Sequence, residues 1–238
     1  MLRELVLPDI RIRTNITNEI LLMVLGGRTQ SPSWLHGINF NKYTWAVDSG
    51  VNCCFKAGIV PEKLIGDADS ADPEAWEWAY GSGSQVLKYE KDKNLTDFQL
   101  ALDLLSEETA RQKKGVFLTG CFGGRFDHLW STFISFLKRS DRYVPIGMAD
   151  EKEGLMLIDG PDFLELYFKK KPEVVSLIPF SGLCTGVSIS GVRWPLDNVR
   201  LEYCNPYSIS NRLESEKIII SADSGRLGVY WEWCGAAD

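Results

Sequence analysis

Hydrophobic and polar positions follow one rhythm up to about residue 150 and another beyond it. In the first stretch, short continuous apolar runs alternate with segments whose apolar positions recur every three to four residues. Ile20–Leu25 is such a run, stopping at Gly26-Gly27 as a buried strand stops at a turn. Thr44–Val47 leads into Asp48-Ser49-Gly50, followed by a helical pattern over Val51–Ala57. Lys63–Ile65 runs into Gly66-Asp67-Ala68-Asp69-Ser70, and Pro73–Tyr80 reads as a helix with proline in its first turn. Gln85–Lys88 is a further strand. Thr96 suits a helix N-cap, and Phe98, Ala101, Leu102 and Leu105 then share one helical face. Gly115–Thr119, a loop over Gly120–Gly124 and a helix from about Asp127 to Leu137 complete the series. Strand, loop and helix in repetition predict an α/β domain over residues 1–150, Rossmann-like, with a mainly parallel sheet.

Beyond Asp150 the helical period disappears. Leu155–Ile158, Phe163–Phe168, Val174–Pro179, Val187–Ile189, Val199–Tyr203, Lys217–Ser221 and Leu227–Trp233 are strand-like. Turn signals such as Asp159-Gly160, Ser181-Gly182, Asp197-Asn198 and Ser224-Gly225 separate them. Short, evenly spaced strands predict a small all-β sandwich domain over residues 151–238.

Composition adds limits. Apolar residues make up 45% and charged residues 24%, the balance of a globular chain with a proper core. A net charge of −6 argues against nucleic acid or an anionic membrane as partner, so anionic substrates must be held by local donors or a metal. Ile20–Leu25 is too short to span a bilayer, and the N-terminus has no secretory pattern. The six cysteines lack paired spacings, which fits buried thiols in a cytoplasmic protein rather than a disulfide framework or metal knuckle.

The candidate chemistry gathers where strands end, the place where open α/β sheets bind ligands. Gly26-Gly27, Asp48, then Asp67 and Asp69 follow successive strands; Asp97 opens a helix; Gly123-Gly124-Arg125 with Asp127-His128 follows another strand. Carboxylates brought to one rim repel one another by about 4 kcal/mol per pair at 4 Å and an effective dielectric near 20. A divalent cation relieves that, and all-oxygen ligands favour Mg²⁺ over zinc. Each piece also has an ordinary explanation. The aspartates form turns and caps, Gly26-Gly27 is a turn, Arg125–Asp127 is a helix-start ion pair, and Trp194 is core.

The order of the segments says more. DSGVN (48–52), GIVPEKLIGDADS (58–70), KNLTDFQLAL (93–102) and GGRFDH (123–128), followed by SLIPFSG (176–182), SGVRWPL (190–196) and SISN (208–211), resemble the thiamin pyrophosphokinase family from Leu21 onward. The resemblance implies transfer of pyrophosphate from the cosubstrate ATP to the thiamin hydroxyl, giving thiamin diphosphate and AMP. It implies Mg²⁺ on Asp67, Asp69 and Asp97, with Asp48 nearby. It further implies backbone approach to phosphates at Gly26 and Gly27, and Arg125 on phosphate oxygens. Asp127 orients Arg125 or accepts the substrate proton. Asn52, Lys93 and Thr96 are further nucleotide-side candidates, while Trp194, Ser210 and Asn211 are the thiamin candidates. A homodimer with the site shared between subunits is also implied. Two positions depart from the pattern: Asn94 stands where the family often has a carboxylate, and Ser49 where many members have glycine. The rivals are a catalytically silent thiamin-binding protein and a metal-dependent nucleotide-sugar glycosyltransferase.

Overall fold

The computed structural model describes residues 2–90, 94–108, 112–138, 141–205 and 207–233. The chain forms two compact units: Asn18–Asp150, and Met1–Thr17 together with Glu151–Asp238.

The chain opens with a hairpin, β1 (Arg3–Leu7) and β2 (Ile10–Thr14). It then builds the α/β unit from β3 (Ile20–Val24), α1 (Pro32–Gly37), β4 (Asn41–Val47), α2 (Gly50–Ala57) and β5 (Lys63–Gly66). There follow α3 (Pro73–Gly81), β6 (Gln85–Lys88), α4 (Asp97–Glu108), β7 (Gly115–Thr119), α5 (Phe126–Lys138) and β8 (Val144–Ala149). These strands lie in the order β8-β7-β3-β4-β5-β6 and every neighbouring pair is parallel. β3 and β7 are buried at every position, the pattern of strands covered on both faces. Sequence sets the helix starts: Ser31 and Asp72 cap α1 and α3, each followed by proline. Thr96 and Gln99 form a reciprocal capping box ahead of α4.

The β unit adds β9 (Glu153–Asp159), β10 (Asp162–Phe168), β11 (Val174–Pro179), β12 (Leu183–Ser190), β13 (Leu196–Glu202), β14 (Lys217–Ala222) and β15 (Arg226–Glu232). One antiparallel sheet runs β1-β2-β10-β14-β12-β13, while β11, β15 and β9 pair antiparallel in that order. Phe168, Trp231 and Trp233 meet edge to face, with centroids 5.8–6.4 Å apart, in this unit's core.

The expected first domain began at residue 1, but residues 1–17 belong to the β unit. The reason is pairing: β2 runs antiparallel to β10 from Ile10↔Phe168 to Thr14↔Leu164. Ile10, Ile12 and Thr14 face inward and are fully buried. Burying each isoleucine contributes roughly 1.5–3 kcal/mol. β8 was likewise absent from the expected elements, since Pro145 and Gly147 interrupt its apolar run.

Candidate active site

The strand order of the α/β unit reverses at β3, which has β4 on one side and β7 on the other. Open α/β sheets bind ligands beside such a reversal, at the strands' C-terminal ends; here the loops leaving β3 and β7 are tied together, Leu25 N–H donating to the Thr119 carbonyl at 2.8 Å. A cleft of about 720 Å³ lies there. Gly26, Gly27, Asp48, Asp67, Thr96, Asp97, Arg125 and Asp127 all line it, joined by Ser70, His128, Ser131 and Thr132.

Asp48 follows β4 in the left-handed region (φ 51°), with its N–H bonded to the Ile65 carbonyl at 2.7 Å. Gly66 permits this close approach of β4 and β5 ends, because a Cβ there would sit 3.1 Å from Asp48 Cα. Beyond it the loop turns at Ala68 (φ 68°), and Asp69 N–H donates to Asp67 Oδ1 at 3.0 Å. Carboxylate oxygens of Asp48, Asp67 and Asp69 thus come within 4.8 Å of one another. Ser70 Oγ donates to Asp48 Oδ2 at 2.5 Å, while Asp48 Oδ1 is buried with no hydrogen-bond partner among the described residues.

Burial raises the Asp48 carboxyl above its usual range, the Ser70 hydrogen bond opposes this, and the charges of Asp97 and Asp67 add to it. An orphaned oxygen and crowded carboxylates fit a hard divalent cation, which takes oxygen ligands. Asp48, rather than Asp97, completes the tight trio with Asp67 and Asp69; Asp97 lines the same cleft from the first turn of α4.

The linkage sign gives a prediction. A carboxyl whose folded-state pKa lies above its unfolded value binds its proton more tightly when folded. Its contribution to stability is therefore greatest in acid and declines as pH rises from the unfolded value through the folded one. Asp48→Asn removes that decline. Metal-free Asp48→Asn is expected to be more stable than the parent at pH 7 and no more stable at pH 3, measured by urea denaturation at both pH values.

The loop after β7 needs two consecutive residues at positive φ, supplied by Gly123 (78°) and Gly124 (71°). It delivers Arg125, whose guanidinium forks onto Asp127 (Nε–Oδ1 3.0 Å, Nη2–Oδ2 2.5 Å). Both side chains are exposed. The pairing raises the arginine's pKa and lowers the aspartate's. Beneath the loop, Arg28 pairs with buried Asp150 at 2.6 Å and its N–H donates to the Phe122 carbonyl at 2.7 Å. This brace was not legible in the sequence, because Arg28 and Asp150 are far apart along the chain.

Three expected binding residues have other work. Gly27 N–H donates to the Gly120 carbonyl at 2.7 Å, so it is not available to a phosphate. A Cβ at Gly27 would lie 2.5 Å from that carbonyl oxygen, so the glycine serves loop packing. Asn52 is not among the cleft-lining residues; its Oδ1 accepts from Asp72 N–H at 2.9 Å and holds the start of α3 behind the Asp67–Asp69 loop. Asn211 is 5% exposed, and its amide clamps the Trp194 backbone: Oδ1 accepts from Trp194 N–H (3.1 Å) and Nδ2 donates to Trp194 O (2.7 Å). It positions Trp194 instead of facing a ligand. Lys93 lies outside the described residues.

Trp194 itself is 53% exposed, so it is not core, and Arg193 lies over its ring at 5.0 Å. Ser210 takes a positive φ (58°) and donates its N–H to Ser176 Oγ at 2.9 Å. Its exposed side chain stands beside Asn211 in the β unit.

Comparison with known proteins identifies the family and the fold. A family model described as thiamin pyrophosphokinase, catalytic domain, matches residues 35–146, and one described as thiamin pyrophosphokinase, vitamin B1 binding domain, matches residues 164–227. The thiamine pyrophosphokinase of Bacillus subtilis is 26% identical over 192 residues, covering 80% of this chain and 88% of its own length. Thiamine pyrophosphokinase 1 of rice is 26% identical over 169 residues, 69% of this chain; the match spans only 63% of that plant protein. Among solved structures, the Bacillus subtilis enzyme superposes with a TM-score of 0.76 at 22% identity, covering 91% of this chain and 100% of that one. Thiamin pyrophosphokinase from Candida albicans gives 0.73 at 14% identity, covering 91% and 90%. At these identities the structural likeness speaks for the fold.

Proposed function

Because this chain belongs to the thiamin pyrophosphokinase family, we propose that it transfers the β,γ-pyrophosphoryl group of ATP to the hydroxyethyl oxygen of thiamin, yielding thiamin diphosphate and AMP. The observation that carries this reading is the meeting of Asp48, Asp67, Asp97 and Arg125 around one cleft at the switch point of a parallel sheet, with Asp69 joining Asp48 and Asp67 in the carboxylate trio. Pyrophosphoryl transfer asks little covalent chemistry of a protein; it needs positioning and charge stabilisation. When bound, Mg²⁺ would neutralise crowded carboxylates and polarise phosphate oxygens, and Asp48, Asp67 and Asp69 would hold it, with Asp97 beside them.

The chain's own groups do the rest. The Arg125 fork takes non-bridging oxygens, and Gly26, whose lack of a side chain lets Ser49 approach, lines the cleft where phosphates would lie. The capping box at Thr96 fixes the first turn of α4 and so the place of Asp97. Trp194 offers an aromatic face to the cationic thiamin, Ser210 a hydroxyl, and Asn211 holds Trp194 in place. On this reading the α/β unit is a Rossmann-like nucleotide domain and the β unit a sandwich that receives thiamin. Both family domains occur in order, which disfavours a glycosyltransferase. The carboxylate set is assembled without residue 94, which disfavours a silent binder. Among the described residues five cysteines are free, four of them buried and Cys204 exposed rather than buried as expected, and free thiols suit a cytoplasmic setting.

The test is the nucleotide released: one AMP for each thiamin diphosphate formed, with ADP release contradicting the proposal. Family membership also supports a homodimer in which the thiamin residues of one subunit serve the nucleotide cleft of the other. Trp194→Ala and Asp69→Asn should then each be nearly inactive, while their co-refolded mixture regains activity through heterodimers. Verified heterodimers without activity would place both halves of each site on one chain.

A further inference from the structure

Arg125 and Asp127 line the cleft, and they are joined to each other through a two-point fork. The pair is exposed, so water screens it and it is cheap to open. Arg125 follows the Gly123-Gly124 turn outside α5, whereas Asp127 lies in the first turn of that helix. His128 N–H also donates to Asp127 Oδ1 at 3.0 Å, which anchors that carboxylate independently of the arginine.

Resting on the reaction proposed above, we infer a partner exchange: Arg125 leaves Asp127 for the triphosphate oxygens, and the carboxylate so released takes the proton of the attacking hydroxyl. The balance is complete. The hydroxyl O–H breaks, its proton passes to Asp127, and its oxygen bonds the β-phosphorus. The bond from that phosphorus to the bridging oxygen breaks, and AMP leaves with its electrons. While paired, Asp127 is a poorer proton acceptor, because the guanidinium first, and the His128 N–H after it, hold its carboxyl below the usual range. Triphosphate binding removes the arginine's share, which is the larger one. The carboxylate therefore becomes a better base when the group to be transferred is in place.

A simpler arrangement, in which Asp127 aims Arg125 at the phosphates and keeps hold of it throughout, predicts the opposite coupling. Binding of a non-hydrolysable ATP analogue, measured by calorimetry with Mg²⁺, separates them in a double-mutant cycle of Arg125→Gln and Asp127→Asn. Asp127→Asn removes a negative charge near the triphosphate in either background, so only the difference between backgrounds counts. Under exchange, Asp127→Asn tightens binding more when Arg125 is present than in Arg125→Gln. The extra factor is at most about fivefold, the worth of an exposed pair. Its kcat falls by about a hundredfold or more through loss of the base. Equal tightening in both backgrounds, or weaker binding with Arg125 present, overturns the exchange alone. If the unaltered chain binds no analogue, the reaction fails and the exchange fails with it.

Discussion

Asp69→Asn is expected to lower turnover by about a thousandfold, the scale of several kcal/mol of transition-state charge stabilisation. Its effect on stability is expected to stay within about 1 kcal/mol, as for other exposed loop positions. The contrast follows from where the residue sits. Asp69 is exposed, and its backbone N–H supplies the bond to Asp67 Oδ1, which asparagine at position 69 leaves intact. The substitution therefore removes charge from the trio while leaving the loop shape alone. Steady-state kinetics and urea denaturation on the same preparation check both halves. Turnover within tenfold of the parent would remove Asp69 from the cation site.

Arg125→Lys carries the second large effect. Lysine keeps the positive charge and loses the planar fork, so turnover should drop by about a hundredfold where two-point recognition of phosphate oxygens matters. Stability should hardly move, because the Arg125–Asp127 pair is exposed and its fork spans only two residues of chain. A variant with near-normal kinetics and reduced stability would instead make Arg125 a structural partner of Asp127 and nothing more. Asp48→Asn complements these two changes, since it should lose activity while gaining metal-free stability, the usual cost of concentrating charge at an active site.

Much of this site is legible in the sequence because local pattern and chemistry coincide. The Thr96 start of α4 shows in a cap and an apolar face, and Asp67 and Asp69 stand where an apolar strand breaks into a turn. What is not legible depends on partners distant in the chain. Residues 1–17 join the β unit only because Ile10 and Ile12 find β10, about 150 positions later. Asn52, Asn211 and Gly27 look like ligand contacts until Asp72, Trp194 and Gly120 are seen to occupy their hydrogen-bonding groups. Asp48 gave the reverse surprise: its place in the tight trio comes from the close approach of β4 and β5 at Gly66, which no local pattern encodes.

The central claim is that the cleft moves a pyrophosphoryl unit intact. The most direct measurement follows phosphorus from ATP labelled separately at its α, β and γ positions, with thiamin and Mg²⁺ present. The account predicts β and γ label together in thiamin diphosphate and α label in AMP alone. Gamma label in thiamin monophosphate, with α and β label remaining in ADP, would contradict it.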